Sequence, residues 1–343
     1  MINKNIHNHN KEFIGRLRSA LYNVNRSQLK SQLGELFAAD CDIHLAFPFE
    51  NLDGPNELYE QAYRPLLDAM PDLERRDLIV MAAESNGQNW VGCLGHYMGV
   101  FERPWLDIPH TNHLVAMRYH EFYRIENDQI VEMQALWDIP SVMMQANAWP
   151  MLPSLGRSWP MMPGPATNDG IIAAPYDQAQ ADASIKLVMD MLTDLGNNNE
   201  GVEAMNLDKY WHPAFNWYGP AGIGAMRRIS GFRNWHQIPF LKSMPDRGAF
   251  LEKGVSLGDG DYVGFTAWPG MYMTFSGDGF LGTAPSGQKL TMRSLDFWRC
   301  ENGLIRENWV LVDILDFYQQ MGVDVFERMR EMTPARRSNA FKD

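Results

Sequence analysis

The sequence predicts an α+β protein made of two copies of one unit, and three observations carry that reading. The chain has 343 residues, enough for about two domains at roughly 100–200 residues each. Residues 117–145 and 292–320 align without a gap at an offset of 175. Twelve of the 29 pairs are identical, among them Arg118/Arg293, Phe122/Phe297, Glu132/Glu307 and Asp138/Asp313. Each copy also orders helices before a run of strands, which predicts helices packed on one face of a sheet. A period this long marks a duplicated domain rather than a solenoid.

The elements follow in order. Phe13, Leu17 and Leu21 form one stripe of a helix over about 12–24, and a second helical stretch runs over about 27–38. Cys41–Phe47 reads as a strand. A helix over 56–69 ends at Met70-Pro71-Asp72, where proline stops it. Strands are predicted near 77–83, 90–101, 112–125 and 130–139. Copy two repeats this with helices at 181–195 and 231–243 and strands near 214–218, 249–257, 261–275, 288–300 and 304–315. Glu126-Asn127-Asp128 and Glu301-Asn302-Gly303 are turn chemistry between antiparallel neighbours. The boundaries come out at 11–147 for domain one, 148–178 for a linker, 179–323 for domain two and 324–343 for a tail. The linker carries Trp149, Trp159, six prolines and several methionines, so it is expected to lie against a domain surface, as packing or as a wall over a pocket.

Composition narrows the function classes. With 45% hydrophobic residues the chain can build cores, which excludes wholesale disorder. The net charge of −12 leaves no basic surplus to neutralise phosphates, so nucleic acid is not an expected partner. Cys41, Cys93 and Cys300 are odd in number and widely spaced, which indicates neither a disulfide framework nor a cysteine zinc site. The first residues carry no apolar signal region, and no run of about 18 apolar residues occurs. A soluble cytoplasmic protein without membrane contact is expected.

The repeated unit resembles the SnoaL-like polyketide cyclases of the nuclear transport factor 2-like superfamily. The likeness rests on ordered motifs in copy two: Tyr210-Trp211-His212-Pro213, Trp217-Tyr218-Gly219-Pro220, Gly231-Phe232-Arg233, Met244-Pro245-Asp246 and the stretch from Asp296 through Arg299, Gly303, Ile305, Glu307 and Trp309 to Asp313 and Gln320-Met321-Gly322. Copy one departs from it with Glu121 for the acid, Asp128 for the turn glycine and Gln134 for the tryptophan. The resemblance implies two tandem cone-shaped domains, each a curved antiparallel sheet around a pocket with helices on one side. It also implies cofactor-independent chemistry of cyclase, isomerase, dehydratase or hydrolase type, or plain binding.

Strand period then sorts candidates. Met292, Ser294, Asp296 and Trp298 share a face, and the resemblance makes Asp296 the general acid/base. A carboxylate among apolar walls gains a raised pKa that suits proton transfer. The bland alternative is a structural pair with Arg293. Asp313, His236 and Trp217 are candidates for the same cavity, with Trp268, Met292, Trp298 and Trp309 as apolar walls. In copy one Met117, Tyr119, Glu121 and Tyr123 share a face, with His120 opposite. Glu121 with His96 forms a candidate acid/base pair, Asp138 matches Asp313, and Tyr119, His110 and His113 are candidate ligand contacts. His110-x-x-His113 with Glu121 could also suit zinc or iron, but the spacing is unspecific and the resemblance gives no metal. No dinucleotide fingerprint, phosphate loop or nucleophile elbow occurs, so no cofactor is expected. His7 and His9 fall in an N-terminal tail, and Arg328, Arg330, Arg336 and Arg337 read as a solvated helix end.

Three functions compete. The first enolises or cyclises a small apolar or aromatic carbonyl compound, as a lyase or isomerase. The second resembles limonene epoxide hydrolase, using Asp296, Arg293 and Asp313. The third binds a ligand without chemistry, with copy one the less catalytic half. The duplication lets the two sheets meet within one chain as an intramolecular pseudo-dimer, and homodimerisation stays open.

Overall fold

The computed structural model describes residues 4–197, 201–334 and 336. Copy one begins with α1 (Lys4–Tyr22) and α2 (Leu29–Leu36). The strands β1 (Phe37–Leu45) and β2 (Glu50–Asp53) follow. Then α3 (Gly54–Glu57) passes through a π-helical turn (Leu58–Tyr63) into α4 (Arg64–Ala69). Four long strands complete the unit: β3 (Glu74–Ser85), β4 (Gln88–Val100), β5 (Leu114–Glu126) and β6 (Gln129–Trp137), capped by α5 (Ile139–Gln145). The N-terminal tail is thus part of α1, with His7 buried against Tyr176 at 4.3 Å between ring centroids.

Copy two repeats the plan. It has α6 (Gln178–Asp194), α7 (Leu207–Tyr210), β7 (Trp211–Tyr218) and β8 (Ala225–Arg227). Next, α8 (Arg228–Phe232) runs through a π-turn (Arg233–Gln237) into α9 (Ile238–Ser243). The strands β9 (Gly248–Ala249), β10 (Val255–Asp259), β11 (Tyr262–Thr274), β12 (Lys289–Glu301) and β13 (Leu304–Val312) lead to α10 (Ile314–Gln320) and α11 (Val325–Met332). The sheet orders are β2-β1-β6-β5-β4-β3 and β10-β11-β12-β13-β7-β8, so the copies share one path of six strands, to which copy two adds β9 paired with β11. Each sheet is mixed rather than wholly antiparallel, because β1 runs parallel to β6 and β7 parallel to β13. The helices between these strands make the crossover that a parallel pair requires.

The two hairpin turns are chemically alike. Asn127 and Asp128 have φ of 50° and 58°, and Asn302 and Gly303 have 52° and 74°. Both residues at positive φ is the type I′ geometry that asparagine, aspartate and glycine tolerate. Just beyond each turn a bulge adds one residue. Cys300 pairs with Ile305 but Arg299 pairs with Glu307, and Ile125 pairs with Ile130 but Arg124 with Glu132. One added residue reverses which side chains of β13 and β6 face the pocket.

The two sheets pack back to back within the chain. Phe122 and Phe297, equivalent in the repeat, stack at 4.9 Å. Two glycines admit them: a Cβ on Gly92 would come 3.0 Å from Phe297, and one on Gly264 would come 3.0 Å from Phe122. Reciprocal polar contacts flank this centre. The Phe47 N–H donates to Asp313 Oδ2 at 2.9 Å, and the Ala221 N–H donates to Asp138 Oδ2 at 3.1 Å. Lys11 of α1 reaches Asp259 of β10 at 3.0 Å.

The linker runs along both sheets. Gly170 accepts from Val80 N at 2.8 Å beside edge strand β3, and Arg157 exchanges two backbone bonds with Ala225 of edge strand β8. It covers edges that would otherwise expose unpaired backbone groups. Near the C-terminus Arg330 pairs with Asp107 and Arg336 donates to the Ala146 carbonyl at 2.6 Å, so these two arginines contact copy one rather than being wholly solvated. Arg337 lies outside the described residues. The three cysteines are buried and free. Among the described residues no helix is long and apolar enough to cross a membrane.

Because the outer faces of the sheets cover each other, light scattering is expected to give one chain's mass, 39.3 kDa. Gly92→Val and Gly264→Val, which overfill the stacked centre, are each expected to cost about 1–3 kcal/mol in thermal unfolding. Unchanged melting of both variants would place that contact elsewhere.

Candidate functional site

The site grows from β12 of copy two. Met292, Ser294, Asp296 and Trp298 alternate onto its inner face, and the bulge sets Asn308, Val310 and Val312 of β13 beside them. Together with Trp211 and Trp217 of β7, Phe265 of β11 and the α8–α9 helix they enclose a cavity of about 150 Å³. That is comparable to a cavity that holds a single benzene ring.

Polar groups converge in this apolar space. Ser294 Oγ donates to Asp296 Oδ2 at 3.0 Å, while the buried Oδ1 has no partner. Burial pushes the Asp296 carboxyl up to about 8, against the opposing pull of the Ser294 hydrogen bond and the Arg118 charge. His236 sits in the π-turn and stacks on Trp217 at 4.5 Å. Burial and the nearby Arg247 charge press its imidazole down to about 3, so it is neutral. Its Nδ1 is buried without a partner, as are Gln237 Oε1, Arg247 Nε, Trp211 Nε1 and Trp298 Nε1. Buried polar atoms are ordinarily paired, so a group of orphans around one cavity marks a place where a ligand or water completes them.

Copy one carries the same frame without the space. By the repeat offsets and the strand registers, Ala249, Met271, Ser294, Val312 and Gln237 of the cavity correspond to Arg75, Tyr97, Tyr119, Trp137 and Tyr63. These larger side chains fill the interior. Glu121 is fully buried and accepts from Arg75 Nη1 at 2.6 Å, Tyr97 Oη at 3.0 Å and Trp137 Nε1 at 3.0 Å, with Tyr123 as a fourth donor. A carboxylate so satisfied is a structural anchor.

The remaining sequence candidates lie elsewhere. His96 is on the face opposite Glu121, paired in register with Arg118, and its Nε2 accepts from the linker's Met162 N–H at 3.1 Å. The Glu121–His96 pair therefore does not form. Tyr119 donates to Asp77 at 2.8 Å inside the filled core. His110 is half-buried and His113 exposed on the β4–β5 loop, apart from buried Glu121. Trp309 points away from the cavity, stacking on its ladder partner Tyr218 at 5.4 Å and donating to the linker's Pro163 carbonyl at 3.0 Å. Trp268 lies under Arg293, 4.8 Å from the guanidinium carbon, outside the cavity.

Asp313 caps α10 through the Asp316 N–H, and Asp138 stands at the start of α5 without a side-chain cap; both lie at the junction of the copies, again outside the cavity. Asp313 binds Arg293 at 3.1 Å, and burial pushes its carboxyl to about 6. Asp138 lies 3.8 Å from Arg118 and is also raised by burial. Asp296, Arg293 and Asp313 thus do not assemble a hydrolase triad, since the latter two lie on the other side of the sheet. Met292, Trp298, Trp217, His236 and Asp296 do come together. Asn308, Arg247 and Gln237 are additional polar groups that strand period alone did not reveal. A plain two-residue hairpin would pair Asp296 with Trp309, and only the bulge substitutes Val310 and turns Asn308 inward.

Comparison with known proteins agrees with this frame. The model of the SnoaL-like polyketide cyclase family matches residues 15–146 and again 187–321. No curated protein matches the sequence. Among solved structures, a protein assigned as a SnoaL-like polyketide cyclase from Jannaschia sp. CCS1 is 18% identical over 40% of this chain and 92% of its own, with a TM-score of 0.35. IdmH from Streptomyces antibioticus, assigned as a polyketide cyclase, is 19% identical over 40% of this chain and 96% of its own, with a TM-score of 0.34. AclR from Streptomyces galilaeus, assigned as a hydroxylase, is 15% identical over 41% and 97%, with a TM-score of 0.35. Matched by the family model once in each copy, the chain belongs to the SnoaL-like polyketide cyclase family.

Proposed function

We propose that copy two is a cofactor-independent acid/base catalyst acting on a small apolar carbonyl compound, and that copy one has no catalytic pocket. The observation that carries this is Asp296, a carboxyl raised to about 8 inside a cavity with orphaned N–H donors. Its carboxylate is a stronger base than an ordinary one and would take the proton α to the substrate carbonyl. The developing enolate oxygen would be held by N–H groups of Trp298, Trp211 or Arg247, buried donors without a protein partner. The enolate carbon then attacks a second carbonyl carbon, or is reprotonated at another position. Asp296 returns the proton to the new alkoxide or carbon, so the residue ends as it began.

The cavity volume favours substrates with one aromatic ring, and Arg247 beside neutral His236 suits a strongly polar oxygen at the end away from Asp296. Hydrolysis is the second reading of the site, but the junction placement of Arg293 and Asp313 gives it no water-activating set. Oxygen-18 from water entering the product would favour it instead.

The first test needs no known substrate. Exchange of α-protons of small aryl ketones such as 1-indanone in D2O is expected with the full chain. Asp296→Asn is expected to lower it by about 10²–10⁴-fold. Glu121→Gln should change it only a few-fold while costing about 3–5 kcal/mol of stability. The exchange rate should rise about tenfold per pH unit below about 8 and level above it, because the carboxylate is the active form. A flat profile from pH 6 to 9 would overturn the assignment.

Stability gives an independent check. Folded Asp296 keeps its proton to about 8, whereas the ordinary carboxyl releases it near 3.8. Unfolding therefore releases a proton between those values, and stability falls as pH rises through that window. Asp296→Asn, which never ionises, is expected to melt higher than the native chain at pH 8–9, by a few kcal/mol at about 1.4 per pH unit of the shift. The difference should vanish near pH 4.

A further inference from the structure

The copy whose interior is filled around Glu121 reaches directly behind the cavity of the other. Arg118 and His120 lie on the outer face of β5 and are 1% and 0% exposed. Arg118 Nη2 donates to the Val310 carbonyl at 2.9 Å and to the Gly219 carbonyl at 2.9 Å, and Nη1 donates to the Tyr218 carbonyl at 2.9 Å. Val310 is the ladder partner of Asp296. His120 Nδ1 lies 2.6 Å from the carbonyl of Leu295, the residue before Asp296. A carbonyl only accepts, so this nitrogen carries the proton. The strand that carries the carboxylate, β12, its neighbour β13 and the end of β7 are thus held from the opposite face of the sheet.

The contact has no reciprocal. Arg293, the counterpart of Arg118, is partly exposed and binds the carboxylates of Glu50, Asp313 and Asp316 rather than backbone behind Glu121. The counterpart of His120 is Leu295, whose side chain cannot donate. Simple sheet-to-sheet adhesion would be symmetric. A one-way clamp, directed from the filled copy to the open one, has the asymmetry of a supporting role.

We propose that Arg118 and His120 of copy one are positioning residues for Asp296 of copy two, fixing the strands that carry it and setting a permanent positive charge behind it. This rests on the acid/base reading of Asp296 given above. A hydrogen-bonded guanidinium keeps its charge, and a cation behind the sheet favours the carboxylate over the acid. The charged and titratable groups facing Arg118 are Asp138, Asp296, His96 and His120, and those facing Asp296 across the cavity are His236 and Arg247. Burial holds His96, His120 and His236 neutral near pH 7, so the positive charges near Asp296 are Arg118 and Arg247, and burial also raises the carboxyl of Asp138.

The test uses the full chain with aspartate labelled at its side-chain carboxyl carbon, the Asp296 resonance being the one lost in Asp296→Asn. Arg118→Met is expected to move the Asp296 titration midpoint up by about one pH unit or more. Arg118→Lys, which keeps the charge but not the forked bonds, should leave the midpoint near that of the native chain and lower ketone exchange about tenfold. His120→Leu should likewise spare the midpoint and lower exchange. A folded Arg118→Met with an unmoved midpoint overturns the electrostatic role. Native exchange in both Arg118→Lys and His120→Leu overturns the positioning role. Should Arg118→Met not fold, a midpoint in Arg118→Lys more than half a unit from native would also count against the proposal. Absence of exchange in the native chain would remove the acid/base reading, while the titration midpoints would still decide the clamp.

Discussion

The back-to-back contact of the two sheets is the constraint on which the rest of the structure depends. Its centre is the Phe122–Phe297 stack, seated in the openings left by Gly92 and Gly264. Burying both outer faces lets each sheet be apolar on two sides, which an antiparallel sheet with one solvated face cannot be. It also fixes polar chemistry that would be costly in isolation. Asp138 and Asp313 each accept a backbone N–H from the other copy, and Asp313 also caps the helix of its own. Linker and tail extend the same contact, with the linker running along β3 and β8 and the C-terminal arginines docking on copy one.

With that frame held by both copies, their interiors were free to diverge in opposite ways. Copy one is filled by Arg75, Tyr63, Tyr97, Tyr119 and Trp137 around Glu121. Copy two has smaller or unbranched groups at the same places and keeps a cavity with unpartnered polar atoms. A buried ion pair with complete hydrogen bonding rigidifies a core, whereas burial in an apolar cavity with one carboxyl oxygen unpartnered raises the energy of the charged form. The two acids at one repeat position, Glu121 and Asp296, therefore differ through their surroundings rather than through their own chemistry. The one-way contact of Arg118 and His120 links these outcomes, because the rigid copy forms the back wall of the open one.

Much of this was legible in the sequence, for local reasons. The duplication, the order of helices and strands, and the hairpin turns at Asn127-Asp128 and Asn302-Gly303 follow from identity, periodicity and the tolerance of asparagine and glycine for positive φ. The inner face of β12, with Met292, Asp296 and Trp298, follows from period two within a single strand. The faces of β6 and β13 do not follow. One bulged residue after each turn shifts the register, so Trp309 leaves the pocket and Asn308 enters it. Nothing in the residues at the bulge announces the added position.

What the sequence by itself determined was the α+β frame, its doubling, and the placement of Asp296 on an inward face. Tertiary structure alone decided that one interior is full and the other open, because free volume is the sum of side chains from helices, strands and loops that are distant in the chain. It also decided the partners of His96, Asp138 and Asp313. Each lies where one copy touches the linker or the other copy, and a contact across a junction carries no local periodicity from which it could be read.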